Sequence, residues 1–555
     1  MKYVLSIENP ANHFIDFNLT IPSLKKDVFH LQLPSWRPGR YELGNFAKNL
    51  KDFDVKFSDG TDVEFKKVSK DSWEIKGLNK EVVITYSYYA AELNAGSTYL
   101  DENQLYVNPV NCFMFLPEFP DIQIDIELKT PKSYKVYGSM LNKSQHSLIA
   151  KNFDELFDSP FIASDSVQEQ IKNIEGVSFH FCFQGSIQID WDKLLEDFEQ
   201  FIQYQISLFR GFPHKSFYFL FQITPYSAYH GVEHHESTVI LLGPSYNVFS
   251  SLYNELLGVS SHELYHVWNV KGIRPEDMVP YNFSAENYTH LGYVTEGVTT
   301  YMGDRVLYES NVFTEQQYFK ELSTLLSRHF HNDGRLHYSV ANSSWDTWLD
   351  GYTPGIPGRK VSIYVEGALS ALVCDAAIRK NTNHKSSLHD VMRVLYDPKK
   401  RVSAYNADTY KHLLEEISGM DFTSIFNSII YGKEDFGPFI QEALQVFGWQ
   451  FKELTSKKST WNFGFKTQLK NGCQHVLSVL ENSAAHLSGM VEGDEIIAVN
   501  GVKIQQNLEQ WLSYYATQKI TLTIFRNHNI SEIELLEPNE NQFYEYKILT
   551  LSNEK

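Results

Sequence analysis

Four cysteines in 555 residues, Cys112, Cys182, Cys374 and Cys473, are too few and too scattered for a disulfide framework or a CxxC motif. We therefore expect reduced thiols, mostly buried, in a reducing compartment. Long apolar runs are missing too, and no stretch approaches the roughly eighteen apolar residues of a membrane span. Met1 to Asn9 lacks the basic and apolar regions of a signal peptide and runs straight into a strand pattern, so cytoplasmic residence is the expectation. Positive charge is scarce: 49 Lys and Arg against 68 Asp and Glu leave a net charge of -19. That balance argues against sequence-independent binding to nucleic acid or anionic lipid. No internal repeat or low-complexity tract is visible.

Aromatic residues are plentiful, with 38 Phe and 33 Tyr in a chain that is 43% hydrophobic. The chain is globular and, at about 100 to 200 residues per domain, long enough for three or four domains. Its pattern predicts a multidomain α+β protein. Residues 1–168 alternate in short aromatic-rich runs such as Tyr3 to Ile7, His13 to Ile21 and Val82 to Tyr89, which read as an antiparallel β-sandwich. Pro34-Ser-Trp-Arg-Pro-Gly39 reads as a rigid corner that buries Trp36. Residues 169–455 read as a mostly helical domain with a few strands, including an amphipathic helix over Trp191 to Phe209. A Ser/Thr/Lys linker near Thr455 to Thr460 leads into a small β-rich domain, 456–555.

The chemistry gathers around Val248 to Val270, which contains His262-Glu263-Leu264-Tyr265-His266. Histidines four apart stand one above the other on a helix, so both can reach one metal ion, with the glutamate between them as general base. A five-residue match arises by chance, so its surroundings decide. Glu296, thirty residues on, opens a second helical stretch and can supply a third ligand, leaving one position for water. Gly297 is costly inside a helix by about 1 kcal/mol relative to Ala, which points to a close approach there. Tyr364, at the start of an apolar helical run, could turn a phenol into the cleft towards an oxyanion, but among 33 tyrosines position alone does not single it out. Beside Gly231 on a predicted edge strand, Glu233 has two readings: a carboxylate that holds a substrate's α-ammonium, or one paired with a surface Lys or Arg. His230, His234 and His235 around it could also form a second, adventitious metal site.

Gly231-Val-Glu-His-His-Glu-Ser237, His262-Glu-Leu-Tyr-His-Val-Trp-Asn-Val-Lys-Gly-Ile-Arg-Pro275, Glu296-Gly-Val-Thr-Thr-Tyr301 and Tyr364-Val-Glu-Gly367 together resemble the glycyl aminopeptidase family. That family comprises gluzincin metallopeptidases with a C-terminal PDZ domain. Leu33-Pro-Ser-Trp-Arg-Pro-Gly-Arg-Tyr41 is similar to its N-terminal β-domain, and Val491-Glu-Gly-Asp-Glu-Ile-Ile-Ala-Val-Asn-Gly501 to a PDZ signature. The resemblance implies a thermolysin-like catalytic domain and one Zn(2+) per chain on His262, His266 and Glu296. It further implies Glu263 as base, Tyr364 as the group that stabilises the tetrahedral intermediate, and Gly231 and Glu233 as the amino-terminus site.

The expected activity is a zinc aminopeptidase releasing Gly or Ala from peptides with a free amino terminus through a metal-activated water. The alternatives are a zinc endopeptidase and a peptide-binding protein with a vestigial metal site. In the PDZ domain, Phe463-Gly464-Phe465 would receive a peptide C-terminus. The sequence departs from many gluzincins in placing Thr300 four positions after Glu296, with Asp304 a turn further on, which leaves the partner of the zinc histidines open.

Overall fold

Alternation at period two builds the amino-terminal third. The computed structural model describes residues 1–353 and 355–551. Its first 165 residues are β-rich, in sheets of seven, four and three strands. Phe14–Ile21 shows the logic, with Ile15, Phe17, Leu19 and Ile21 all turned into one core. The sheet is not purely antiparallel as expected, because Lys2–Ser6 pairs in parallel with Ile124–Lys129.

The middle of the chain combines a five-stranded sheet with helices. The strands are β1 (Gln168–Ile174), β2 (Val177–Gln184), β3 (Ser216–Ile223), β4 (Ala228–Glu233) and β5 (Ser237–Gly243), in the order β1-β2-β3-β5-β4. The three central strands run parallel, and β4 is an antiparallel edge. Here the aromatic excess finds its place. Phe179, Phe181 and Phe183 on β2 stand beside Phe217, Phe219 and Phe221 on β3, and all six pack with Phe198 and Phe201 of helix α1 (Trp191–Phe209). The opposite face, with Cys182, Leu220, Val232, Val239 and Leu241, lies against Tyr106, Tyr137 and Ile162 of the β-rich domain.

Helix α2 (Tyr253–Tyr265) carries the histidine motif, and α3 (Thr299–Glu309), α4 (Glu315–Phe330) and α5 (Ile363–Asn381) pack around it. The predicted start of α2 after Asn247 is corrected by five residues, the cap being Leu252. Ser245–Asn247 instead forms a separate short turn, with Val248 its C-cap. The helix also ends sooner than the apolar pattern suggested, and residues 266–272 bend away into the short strand Ile273–Pro275.

The C-terminal unit has its own core, built on Phe463, Phe465, Ile496, Leu522 and Ile524. A division at 456 does not contain it cleanly. Strand β6 (Trp449–Thr455) precedes strand β7 (Phe465–Lys470), and the last strand, β8 (Tyr544–Thr550), returns to pair with β6 and pack on α4. Trp449, Tyr546 and Ile548 belong to the core of the middle domain. Positions 552–555 of the predicted C-terminal domain lie outside the described residues.

Candidate metal centre and active site

His262, in the last turn of α2, and His266, the C-cap one turn on, put their Nε2 atoms 3.0 Å from each other. Glu296 Oε2 is 3.4 Å from His266 Nε2 and 3.8 Å from His262 Nε2. Ligands at about 2.0–2.1 Å around a tetrahedral ion stand roughly 3.3–3.4 Å apart, so the three atoms are spaced to share one ion. The Asn269 carbonyl accepts from His266 Nδ1 at 2.6 Å, which turns Nε2 towards the other two ligands. That carbonyl, and not Thr300 or Asp304, is the partner of His266. Thr300 Oγ1 donates instead to the carbonyl of Glu296.

Glu296 lies in a π-helical turn, Tyr293–Val298, that runs directly into α3. Such turns leave backbone carbonyls unmatched, and here the Asn269 side chain satisfies them. Its Nδ2 donates to the Val294 carbonyl at 2.9 Å and to Thr299 Oγ1 at 3.0 Å. One residue therefore holds both the loop after His266 and the turn that carries Glu296. Behind that turn, Gly297 meets Gly367 of α5 backbone to backbone. A Cβ on Gly367 would lie 2.6 Å from Gly297 Cα and 2.9 Å from Tyr293 Cα. The close approach that Gly297 suggested from sequence is the crossing that brings Tyr364 towards Glu296.

Charge follows from burial and proximity. Burial and the neighbouring His266 hold the His262 imidazole well below its usual range, so it is neutral and free to ligate. Burial opposes a proton on His266, but the Glu296 carboxylate outweighs it and lifts that imidazole to about 9. An ion entering the site at neutral pH must displace that proton. Burial, together with Glu233 and Glu296, pushes the Glu263 carboxyl well up, and its Oε2 has no hydrogen-bond partner among the described residues. Burial and the Glu296 charge likewise keep the Tyr364 phenol protonated, as a donor should be.

Gly231 and Glu233 share one face of β4, opposite Val232, and turn towards α2. Any side chain at Gly231 would collide with Glu263 Oε1 and with Val259, so glycine lets the strand lie directly on the base. Glu233 is 4% exposed, its Oε1 is unpartnered, and no Lys or Arg among the described residues forms an ion pair with it. It lies close enough to Glu263 and His266 for the three to form a compact acidic corner. The surface-pair reading of Glu233 therefore has no partner in the structure. The neighbouring histidines do not converge on a second metal site. His234 bonds to Asp158, His235 stacks edge-on against His214, and His230 faces Arg37.

The β-rich domain reaches into this centre. Trp36 is fully buried, but its partners are Tyr281, Phe283 and Trp348 of the middle domain, and its Nε1 donates to the Asn282 carbonyl at 2.7 Å. The corner it anchors lays Gly39 against the Glu233 carboxylate and sends the Tyr41 hydroxyl to Glu296 Oε1 at 3.3 Å. The Tyr352 hydroxyl accepts from the Tyr41 backbone N–H at 3.1 Å and lies near Tyr364. Below the site, the buried Lys271 ammonium pairs with Asp158 at 2.9 Å, and His234 Nδ1 is 3.1 Å from the same carboxylate. Tyr41, Tyr352, Asp158 and Lys271 were not singled out from sequence. The only signal was the Pro-bracketed Trp-Arg-Pro-Gly-Arg-Tyr run, read as a corner.

Comparison with known proteins decides the lineage. Residues 2–165 match the family model of the Peptidase M61 N-terminal domain, and residues 255–370 match that of the M61 glycyl aminopeptidase. The chain belongs to the glycyl aminopeptidase family. The second match contains the histidine motif, Glu296 and Tyr364. A crystal structure of an aminopeptidase N family protein from Idiomarina loihiensis superimposes with a TM-score of 0.92 at 26% identity, covering 99% of this chain and 98% of that one. An M1 zinc metallopeptidase from Deinococcus radiodurans is a looser likeness, with a TM-score of 0.47 at 12% identity over 78% of this chain and 94% of that one. A search of the curated proteins finds no match. As a member of the glycyl aminopeptidase family the chain is a peptidase, α+β throughout, with a β-rich first domain and a largely helical middle domain. No helix among its described residues is long and apolar enough to cross a membrane.

The C-terminal unit departs from one expectation. The Gly464 amide already donates to the Trp461 carbonyl at 3.0 Å, and Phe463 and Phe465 are buried in the unit's core. Their loop therefore does not present a free Gly464 amide to a peptide carboxylate.

Proposed function

We propose that the protein is a zinc aminopeptidase that removes small residues, Gly or Ala, from peptides with a free amino terminus. One observation carries this reading: the Glu233 carboxylate is buried and unpaired beside the three-ligand cluster. A buried charge without a partner is costly, and a substrate α-ammonium is the partner that would relieve it. A bound zinc ion, one per chain on His262, His266 and Glu296, supplies a Lewis acid that acidifies a water and polarises the scissile carbonyl.

The chain's own groups carry the rest. Glu233 holds the ammonium and sets the register, so that only the first peptide bond reaches Glu263. Glu263, ionised once the dication and the substrate ammonium offset the negative charge of Glu296 and Glu233, would take the proton of the attacking water at its unpartnered oxygen and pass it to the departing amine. Tyr364 donates its phenolic hydrogen to the oxygen on which charge develops. Tyr41 and Asn269 hold Glu296 and His266 in place. Gly39 and Gly231 bring backbone directly against the Glu233 and Glu263 carboxylates, and the preference for small residues rests on the family. The four free cysteines support residence in a reducing compartment, such as the cytoplasm.

Purified protein should hydrolyse Gly- and Ala-arylamides, lose that activity to a chelator, and contain one zinc per chain by elemental analysis. Glu263→Gln should keep the metal and abolish turnover. Full turnover in that variant would overturn the mechanism. N-acetylation of a peptide substrate should block cleavage, whereas cleavage at an unchanged rate would assign Glu233 another role and make the enzyme an endopeptidase.

A further inference from the structure

On a protein of net charge -19, one cleft is strongly positive. It has a volume of about 620 Å³ and lies between α4 of the middle domain and the first turns of the C-terminal unit. Lys320 and Arg328 line one side, Lys458 and Lys466 the other, and Lys547 of β8 lies along the same cleft. None of these five cations forms an ion pair with a carboxylate among the described residues, although such pairs are common elsewhere on the chain. The one acidic group in the lining, Glu545, is engaged by Ser456 Oγ at 2.9 Å.

The cations are held in place, not merely solvated. Lys458 Nζ and Lys466 Nζ stand 4.6 and 5.4 Å from the centre of the Trp461 ring, and Lys466 Nζ is 4.3 Å from that of Phe543. His331 joins the two sides. Its Nε2 donates to the Tyr544 carbonyl at 2.8 Å, so Nδ1 keeps its lone pair and accepts from Lys466 Nζ at 2.9 Å. Burial, with Lys466 beside it, lowers that imidazole to about 4, and burial with Lys458 beside it lowers the Lys466 ammonium to about 8. Both shifts have the sign expected of positive charge brought together without a counter-charge.

We propose that this cleft binds a phosphoanhydride anion, the chemistry shared by inorganic pyrophosphate, tripolyphosphate and the phosphate chain of a nucleotide, and that the bound anion clamps the C-terminal unit to α4. A single carboxylate carries too little charge to satisfy five cations, and a volume of about 620 Å³ has room for more than one phosphoryl group. Lysines act as point charges suited to phosphate oxygens. Spanning two structural units, the anion would stiffen the joint between them.

The test is calorimetric titration of the zinc-loaded protein with pyrophosphate, tripolyphosphate and ATP at fixed ionic strength, alongside thermal melting. Saturable one-to-one binding and a raised melting temperature are expected for tripolyphosphate. Equal affinity for ATP and tripolyphosphate would assign the site to the phosphate chain alone, and a clear preference for ATP would assign it to a nucleotide. Lys458→Ala/Lys466→Ala should weaken binding by about tenfold or more while leaving arylamide hydrolysis intact. Lys320→Ala, on the opposite wall, should weaken it independently should the double variant fold poorly. Removal of zinc by the probe would act on all variants alike and so is separable. No saturable heat, unchanged affinity in both variants, or equally tight binding of a hexaglutamate peptide would each overturn the proposal.

Discussion

Gly367→Ala tests whether the active site depends on two helices touching backbone to backbone. The added methyl would lie 2.6 Å from Gly297 Cα and 2.9 Å from Tyr293 Cα, whereas carbon atoms settle at about 3.5–4.0 Å. The helices must therefore part by roughly 1 Å. Alanine gains about 1 kcal/mol of helix propensity over glycine, and overpacking costs about 1–3 kcal/mol. The net stability change is then small, from neutral to about 2 kcal/mol unfavourable. Activity should suffer far more. Glu296 lies between Tyr293 and Gly297 on the displaced turn, and Tyr364 is one helical turn before the substituted position, so a proposed ligand and the proposed oxyanion donor move relative to each other. A displacement of about 1 Å costs on the order of a hundredfold in rate. The assay pairs kcat/KM on a Gly-arylamide with zinc content and a melting curve. A variant that keeps full activity and full zinc would refute the reasoning, since it would show that the helix spacing does not position Glu296 or Tyr364.

Tyr41→Phe removes the hydroxyl that donates to Glu296 Oε1. Metal affinity should fall about tenfold or more in competition with a chelator, with little change in melting temperature. Asp158→Asn leaves the Lys271 ammonium buried without a counter-charge and should destabilise the fold by about 3–5 kcal/mol at neutral pH, measured by urea unfolding. Lys271, with His234 and His235, holds the Asp158 carboxyl well below its ordinary value of 3.8. Its contribution is therefore full above that value and fades only as pH falls towards the depressed one, so wild type and variant should converge in acid. Metal uptake by chelator-stripped protein should tighten as pH rises to about 9, because the proton that Glu296 stabilises on His266 is the competitor. Equilibrium dialysis across pH 6 to 9 would show a flat profile if that proton were absent.

How much of this could be read from the sequence differs residue by residue. His262 and His266 were legible because a helix converts spacing into direction, Glu296 because it opens the next helical stretch and matches the family's pattern, and Gly297 because glycine inside a helix needs a reason. The turn around Glu296 was legible as helix but not as π-helix, since one extra residue per turn leaves no trace in a short apolar pattern. Asn247 resembled a helix cap, yet the chain first makes a short turn and caps α2 five residues later, at Leu252. Tyr41, Tyr352, Asp158 and Lys271 were invisible because each acts across a boundary between segments far apart in the chain, and nothing local in the residues around them announces the partner. Trp36 shows the limit most clearly: its burial followed from sequence, but the domain that buries it did not.

The return of β8 to β6 gives the C-terminal unit a two-point suspension. A domain hung from one linker explores a wide cone, whereas one whose entry and exit strands are zipped together is confined to rocking about that ribbon. Cutting the chain at 456 would not simply release a passenger. It would strip β6 of the strand it pairs with among the described residues, uncover Trp449 and the face of α4 beneath Ile548, and leave an unpaired sheet edge on the peptidase itself. The ribbon also gives the unit a short mechanical path to the middle of the enzyme, because a pull or twist on its outer strands reaches α4 through the paired strands β6 and β8, with the Lys466–His331 hydrogen bond beside them.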